Sequence, residues 1–178
     1  QEFVREKINL LITFDDGYFS WIDVCAPILK AYGLKGLFFI NSGLLSIAHD
    51  SEKAEKYLRD RLLISPKVPL SWENAQILVT EGHSIGGHTI THPNLALLDI
   101  EAAESEVAED KIRIETMLNI VIKDFAYPFG RKINWNKQVF DTVTKAGYTF
   151  IYTTEAGFAK LDDPRQLSRI CIEKNQAV

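Results

Sequence analysis

Two apolar runs flanking one segment of helical periodicity open the chain and constrain its fold more than any other feature. Ile8 to Phe14 reads as a buried strand, Phe19, Ile22, Ala26 and Leu29 recur at helical spacing until Gly33, and Lys35 to Ile40 is a second buried run. Strand, helix and strand in that order predict a parallel pair with a right-handed crossover. The alternation continues. Ser71 reads as an N-cap, with Glu73 in the first turn of a helix through Ile77 and Leu78 that stops near Gly82. A short strand then runs into His88, and Ile100, Ala103, Val107, Ile114 and Leu118 line one face of a long helix. Ile120 to Tyr127 is the next strand, Trp135, Val139 and Val143 mark a helix ended by Gly147, and Tyr148 to Thr154 and Leu167 to Ile172 are the last two strand segments. About six strands alternating with helices form an α/β barrel pattern, but an eight-unit barrel needs roughly 250 residues. A chain of 178 residues is therefore expected to form an incomplete or distorted (β/α) barrel with parallel strands.

A chain of this length folds as one domain around one core and buries about 70 per cent of its unfolded surface. The formal charge is −4 and no basic run occurs, which argues against nucleic acid and anionic membrane surfaces and favours a neutral or cationic substrate. No stretch reaches the roughly 20 apolar residues of a membrane span. The chain begins at Gln1 rather than Met, which implies processing or trimming, so the lack of a signal peptide does not decide localisation. Cys25 and Cys171 match no zinc spacing. A buried thiol is the simpler reading for Cys25, which falls in a helical pattern, and a disulfide stays open. The stretch Ser46 to Pro69, with its charge-dense Asp50 to Arg61, has no counterpart in the alternation. It reads as a solvated helix and loop, with substrate contact as the lesser reading. There is no internal repeat and no low-complexity segment.

The chemistry gathers at strand ends. Thr13-Phe14-Asp15-Asp16-Gly17 seats two carboxylates at the end of the first apolar run, and His88-Thr89-Ile90-Thr91-His92 follows the third strand. One carboxylate with two histidines four residues apart is a ligand set for a hydrolytic divalent ion, zinc first and cobalt or nickel on the same ligands, with a position left for water. The other carboxylate is then available as a base. Neighbouring residues on a regular strand face opposite ways, so both carboxylates can serve one site only if the chain breaks regularity there, which Gly17 permits. Parallel α/β folds place their sites at the C-terminal ends of strands, where both motifs lie. His83 precedes the histidine pair by too little to share its face and reads as a structural histidine hydrogen-bonded near a helix end.

TFDDG, then HTITH, then Phe125-Ala126-Tyr127-Pro128-Phe129-Gly130, in this order over nearly the whole chain, resembles the polysaccharide deacetylases of the NodB-homology type, carbohydrate esterase family 4. The first two are that family's specific motifs, and the third resembles its RxPY motif. The resemblance implies a distorted (β/α) barrel and a single catalytic domain over residues 1–178, with truncation at either end left open. It makes Asp15 the base, Asp16, His88 and His92 the metal ligands, and the backbone N–H of Phe129 the oxyanion donor. It further implies that Tyr127, Pro128 and Phe129 contact substrate, although the residue pattern leaves Tyr127 between core and rim. The implied reaction is metal-dependent removal of N-acetyl groups from an amino-sugar polysaccharide or oligosaccharide. The implied partner is an N-acetylated glycan, and the implied location is extracellular, periplasmic or cell-envelope associated. Trp72, Trp135 and Phe158 are candidates for stacking on a sugar face, with core packing the better reading of Trp135.

Two departures from the family pattern stand out. Ala126 occupies the place of the arginine that opens the third motif and steadies the catalytic Asp, and the late LxH motif, whose histidine protonates the leaving amine, is missing. Arg131 or Arg169 could supply the guanidinium, each more readily read as an ordinary surface or ion-pair arginine. The acid is expected from beyond Val178, from water on the metal or from His49, or it is absent. The competing readings are an O-acetyl esterase or cyclic-amide hydrolase on the same fold, and a glycan-binding pseudoenzyme that keeps the metal. The sequence leaves the oligomeric state open.

Overall fold

The computed structural model describes residues 10–158 and 166–172. Five strands, β1 (Ile12–Asp16), β2 (Gly36–Ile40), β3 (Ser84–Gly87), β4 (Asp124–Ala126) and β5 (Phe150–Tyr152), lie side by side in chain order, every neighbouring pair parallel. They curl into a half-barrel with helices around it, so the expected incomplete barrel is what forms. The first two residues of the expected opening strand, Ile8 and Asn9, lie outside the described residues. The expected sixth strand, Leu167 to Ile172, is a single bridge instead: Leu167 pairs in parallel with Tyr152, and Ile170 and Ile172 are exposed. Among the described residues no further strand lies beyond that segment for it to pair with.

Six helices follow from the sequence chemistry: α1 (Ala26–Ala31), α2 (Ser42–Ser46), α3 (Ser51–Asp60), α4 (Trp72–Thr80), α5 (Ile100–Leu118) and α6 (Lys137–Lys145). The predicted cap at Ser71 is present as a full capping box with Asn74, and Asp99 and Asn136 cap α5 and α6 in the same way through their side chains. The first helix departs from expectation. Trp21–Cys25 is a π-helical turn before α1, next to Pro27, which has no N–H to continue the α-helical bonding back to Asp23. Trp135 also differs, standing in extended backbone before α6 rather than inside the helix. Cys25 is a free thiol, half-buried against the main core. No described helix is long and apolar enough to cross a membrane.

The alternation of strand side chains makes two cores. Phe38 and Ile40 of β2 face the helices with Trp21, Leu29, Leu78, Val107 and Ile114, whereas Leu37 and Phe39 face the barrel interior with Ala126, Tyr152 and Leu167. The stretch from Ser46 to Pro69 forms a helix and loop, as expected, but one side of it is core: Leu58 and Leu62 pack on Leu44. His83 is structural. Its Nδ1 accepts the Gly36 N–H at 3.1 Å at the N-terminal end of β2, far along the strands from the motifs, and its ring stands edge-on to Phe38.

Glycines let β3 pass between the two layers. A Cβ on Gly86 would lie 2.6 Å from the Phe39 ring, and one on Gly87 would lie 2.1 Å from the Tyr148 hydroxyl. Gly87→Ala should therefore cost about 1–3 kcal/mol through overpacking, and Tyr148→Phe in the same molecule should recover part of that loss. Chemical denaturation of the four proteins of the cycle checks it; strictly additive losses would mean that the Tyr148 hydroxyl is not what the new methyl meets.

Candidate metal centre

The C-terminal ends of the strands carry every motif to one mouth. At β1 the strand alternation is broken by Asp16 itself (φ 88°) and by Gly17 (φ 131°), which lets Asp15 and Asp16 serve the same site. Asp15 keeps the interior face of the strand, with Thr13. Asp16 turns toward the histidines, its Oδ1 3.6 Å from His88 Nε2 and 3.5 Å from His92 Nε2. One ligand atom from each of the three lies within 4.8 Å of the other two. Atoms bound about 2.1 Å from a tetrahedral ion stand roughly 3.4 Å apart, so the carboxylate is at ligand spacing from both rings, too far for hydrogen bonds to them.

The surroundings suit that use. The His88 Nδ1–H donates to the Ala126 carbonyl at 2.7 Å, which leaves the Nε2 lone pair facing Asp16. Burial pushes the His88 ring below its ordinary pKa and the His92 ring down to about 4, so both are neutral donors near neutral pH. Burial raises the Asp16 carboxyl, against the pull of His88 and of the Tyr18 hydroxyl that donates to its Oδ2. A carboxylate and two neutral imidazoles that converge through Nε2 without hydrogen-bonding one another fit a borderline divalent ion better than they fit a closed polar network.

Asp15 meets Arg169. The guanidinium donates to both carboxylate oxygens, at 2.6 and 2.8 Å, and also to Thr13 Oγ1 and the Thr153 carbonyl, while lying over the Phe39 ring. Burial pushes the Asp15 carboxyl up more than any one neighbour pulls it down, but the Arg169 charge, the adjoining histidines and the Arg169 hydrogen bonds together outweigh it, and the group sits below the usual carboxylate value. Arg169 is thus no ordinary surface arginine: its side chain is only 11% exposed. Its backbone leaves the edge of the sheet just after the Leu167 bridge, and the curl of the barrel brings it onto β1. Arg131 instead opens the short 3₁₀ turn Lys132–Asn134 and is exposed.

The third motif is partly core. Tyr127 is fully buried and stacked flat on Trp135, so its side chain does not reach a substrate, and Pro128 is buried too. Phe129 is 41% exposed, with its ring edge-on to His92 at 4.7 Å. Its positive φ of 62° is locked by the Gly130 N–H bond to Pro128 and by Thr154, whose hydroxyl donates to the Phe129 carbonyl at 2.7 Å. Trp72 packs against the main core, Phe158 is exposed, and His49 is an exposed side chain paired with Glu73. Asn41 was not anticipated: fully buried after β2, it donates to the carbonyls of His88 and Thr89. A polar residue directly after the apolar run of β2 was its one signal.

Comparison with known proteins places the chain in a family. The sequence model of the family described as polysaccharide deacetylase matches residues 4–151. YxkH of Bacillus subtilis strain 168, assigned to the polysaccharide deacetylases, is 31% identical over 153 residues, 86% of this chain and 47% of its own length. A chitin deacetylase from Pestalotiopsis is 24% identical over 79% of this chain and 39% of its own. The structure of the Streptococcus pyogenes deacetylase PplD in complex with acetate superposes with a TM-score of 0.77 at 25% identity, covering 93% of this chain and 65% of that one. The chain belongs to the polysaccharide deacetylase family, and it spans less than half the length of YxkH and of the chitin deacetylase. Members of that family generally use a divalent metal.

His88→Ala should bind less than one tenth of the zinc that the unaltered protein binds at equal free ion, since one of three protein ligands is lost. Metal analysis after dialysis checks it, and retention of stoichiometric zinc would remove His88 from the ligand set.

Proposed function

We propose that this domain is a metal-dependent hydrolase that removes N-acetyl groups from an amino-sugar polysaccharide or oligosaccharide. The observation that carries the reading is the convergence, in one mouth, of the Asp16–His88–His92 ligand set with an arginine-held second carboxylate, Asp15. A divalent ion held by Asp16, His88 and His92, most simply zinc, supplies Lewis-acid activation of water and of the acetyl carbonyl. Asp15 takes the proton of the attacking water. Its lowered pKa keeps it ionised at neutral pH, and the two bonds from Arg169 fix its orientation while each oxygen retains a further lone pair. The Phe129 N–H, in a turn held by Thr154, donates to the carbonyl oxygen as negative charge grows there. Tyr127 and Pro128 shape this turn from the core side, and Phe129 alone of the three offers a side chain to substrate. The substrate class places the protein outside the cytoplasm or in the cell envelope.

Asp15→Asn keeps the shape and removes the acceptor, so metal content should stay and turnover of chitooligosaccharide should fall at least about a hundredfold. Loss of metal in step with activity would make Asp15 a ligand instead, and unchanged turnover would end its role as base.

The proton for the leaving group is the point at which a second reading gains support. The four histidines are the two ligands, the structural His83, and the exposed, Glu73-paired His49, so none is placed as a ready acid. An expelled amine must be protonated, whereas an activated alkoxide or phenolate leaves with little help. This favours O-acetyl esters as substrates alongside amides. Relative to a family member with the LxH histidine, the chain should cleave aryl acetates with a smaller deficit than N-acetylglucosamine oligomers. Its kcat/KM for the amide should also lack the falling alkaline limb of a histidine acid. Rate profiles against pH for both substrates test this; a full bell and matching amide turnover would show that another group supplies the proton.

A further inference from the structure

The ligand turn is held in costly backbone. Thr89 (φ 68°) and His92 (φ 54°) both occupy the left-handed region, which is unfavourable for a residue with a side chain. Helix α5 runs past this turn with two carboxylates one helical turn apart. Asp110 is completely buried in the stripe otherwise made by Ala103, Val107, Ile114 and Leu118. Its Oδ2 accepts the backbone N–H of His88 at 3.2 Å and its Oδ1 that of Ser42 at 3.0 Å. Glu106 reaches the other side of the turn, accepting the Thr91 N–H at 2.9 Å and the Thr91 hydroxyl at 2.6 Å. The carbonyl of His88 is meanwhile taken by Asn41, and that of Ile90 by the Gly43 N–H and the Tyr57 hydroxyl. None of these groups is counted among the ligands, yet together they bond the peptide units of the turn from His88 to Thr91, which leads from one ligand residue to the next.

We propose that Glu106 and Asp110 are positioning residues that hold the His88–His92 turn in its ligand geometry, so that the metal meets a site already formed. The inference rests on the reading of Asp16, His88 and His92 as ligands. It has a chemical signature that packing alone lacks. Each oxygen of Asp110 accepts one backbone N–H, with the Ser42 hydroxyl beside them, so a carboxamide turns an N–H toward one backbone donor and loses that bond. At Glu106 one partner is a hydroxyl, which can accept as well as donate, so a carboxamide can satisfy both groups of Thr91. Asparagine should fail at 110 where glutamine succeeds at 106, although each swap is isosteric.

The experiment is a competition titration of zinc and cobalt against a chelator for the unaltered protein and for Asp110→Asn, Glu106→Ala and Glu106→Gln, with thermal melting of the metal-free forms alongside. Asp110→Asn and Glu106→Ala should bind about 10- to 100-fold more weakly, and Glu106→Gln should stay within about threefold of the original affinity. Should Asp110→Asn fail to fold, the contrast between Ala and Gln at position 106, whose side chain is less enclosed, decides the matter. Equal affinity in all folded variants, with only the melting temperature lowered, would overturn the proposal and leave the pair a purely structural one. An unaltered protein that binds neither ion would overturn both this proposal and the functional reading beneath it, and the two failures are told apart by that first titration.

Discussion

A carboxylate buried at the end of β1 has to be paired, and the pairing of Asp15 with Arg169 orders much of what surrounds it. Burial without a partner would push Asp15 toward its protonated form, useless as a base. The guanidinium is the strongest of the groups that together reverse that, and it also touches β1 through Thr13, β2 through the face of Phe39, and the end of β5 through the Thr153 carbonyl. A half-barrel has two open edges. Here the first strand and the segment after the last are joined across the interior by one charged side chain, so the residue that sets the protonation state of Asp15 also spans the opening of the barrel. Exposure of Arg169 is low enough for this pairing to resist the screening that weakens surface ion pairs.

That pairing explains the family departure at position 126. An arginine there would have to project from β4, whose short run Asp124–Ala126 is buried in its last two residues. Ala126 instead packs small and apolar with Leu37, Phe39, Tyr152 and Leu167, and its carbonyl orients His88. The guanidinium reaches Asp15 from the neighbouring edge of the sheet. Only the end position of the charged group matters to Asp15, and a curled sheet offers more than one strand from which to reach it.

Different parts of this arrangement were readable from the chain to different degrees. The strands β1 and β2, the cap at Ser71 and the candidate ligand cluster were written locally: an apolar run, a serine with Glu73 following in the first turn, two histidines four residues apart. The Asp15–Arg169 pair was legible only as one of two options beside Arg131, because the two residues are separated by 154 positions and meet only through the curl of the sheet, which no local pattern encodes. Tyr127 was undecided for a related reason. A tyrosine after a strand suits rim and core equally, and its burial follows from the flat stacking of Trp135, a residue expected inside a helix but held in extended backbone just before it. The π-helical turn did have a local cause in Pro27, and Asp110 could have been noticed as the one charged residue in an apolar stripe.

Strain and support divide between separate parts of the molecule. Of the six non-glycine residues with positive φ among those described, Asp16, Thr89, His92 and Phe129 lie at the mouth, so backbone cost is concentrated where the chemistry is rather than spread over the fold. Three are held by groups from other elements, Asp16 through its carbonyl by the Asn41 N–H, Thr89 through its carbonyl by the Asn41 side chain and Phe129 through its carbonyl by Thr154, while His92 is held within its own turn, its N–H donating to the Thr89 hydroxyl. A ligand turn that relied on the metal alone for its shape would spend binding energy on ordering itself. With the shape of the turn imposed by hydrogen bonds to Asn41, α3 and α5, affinity for an ion bound there would reflect the donor set, two neutral imidazoles and a carboxylate, and selection among divalent ions would follow its chemistry rather than its flexibility.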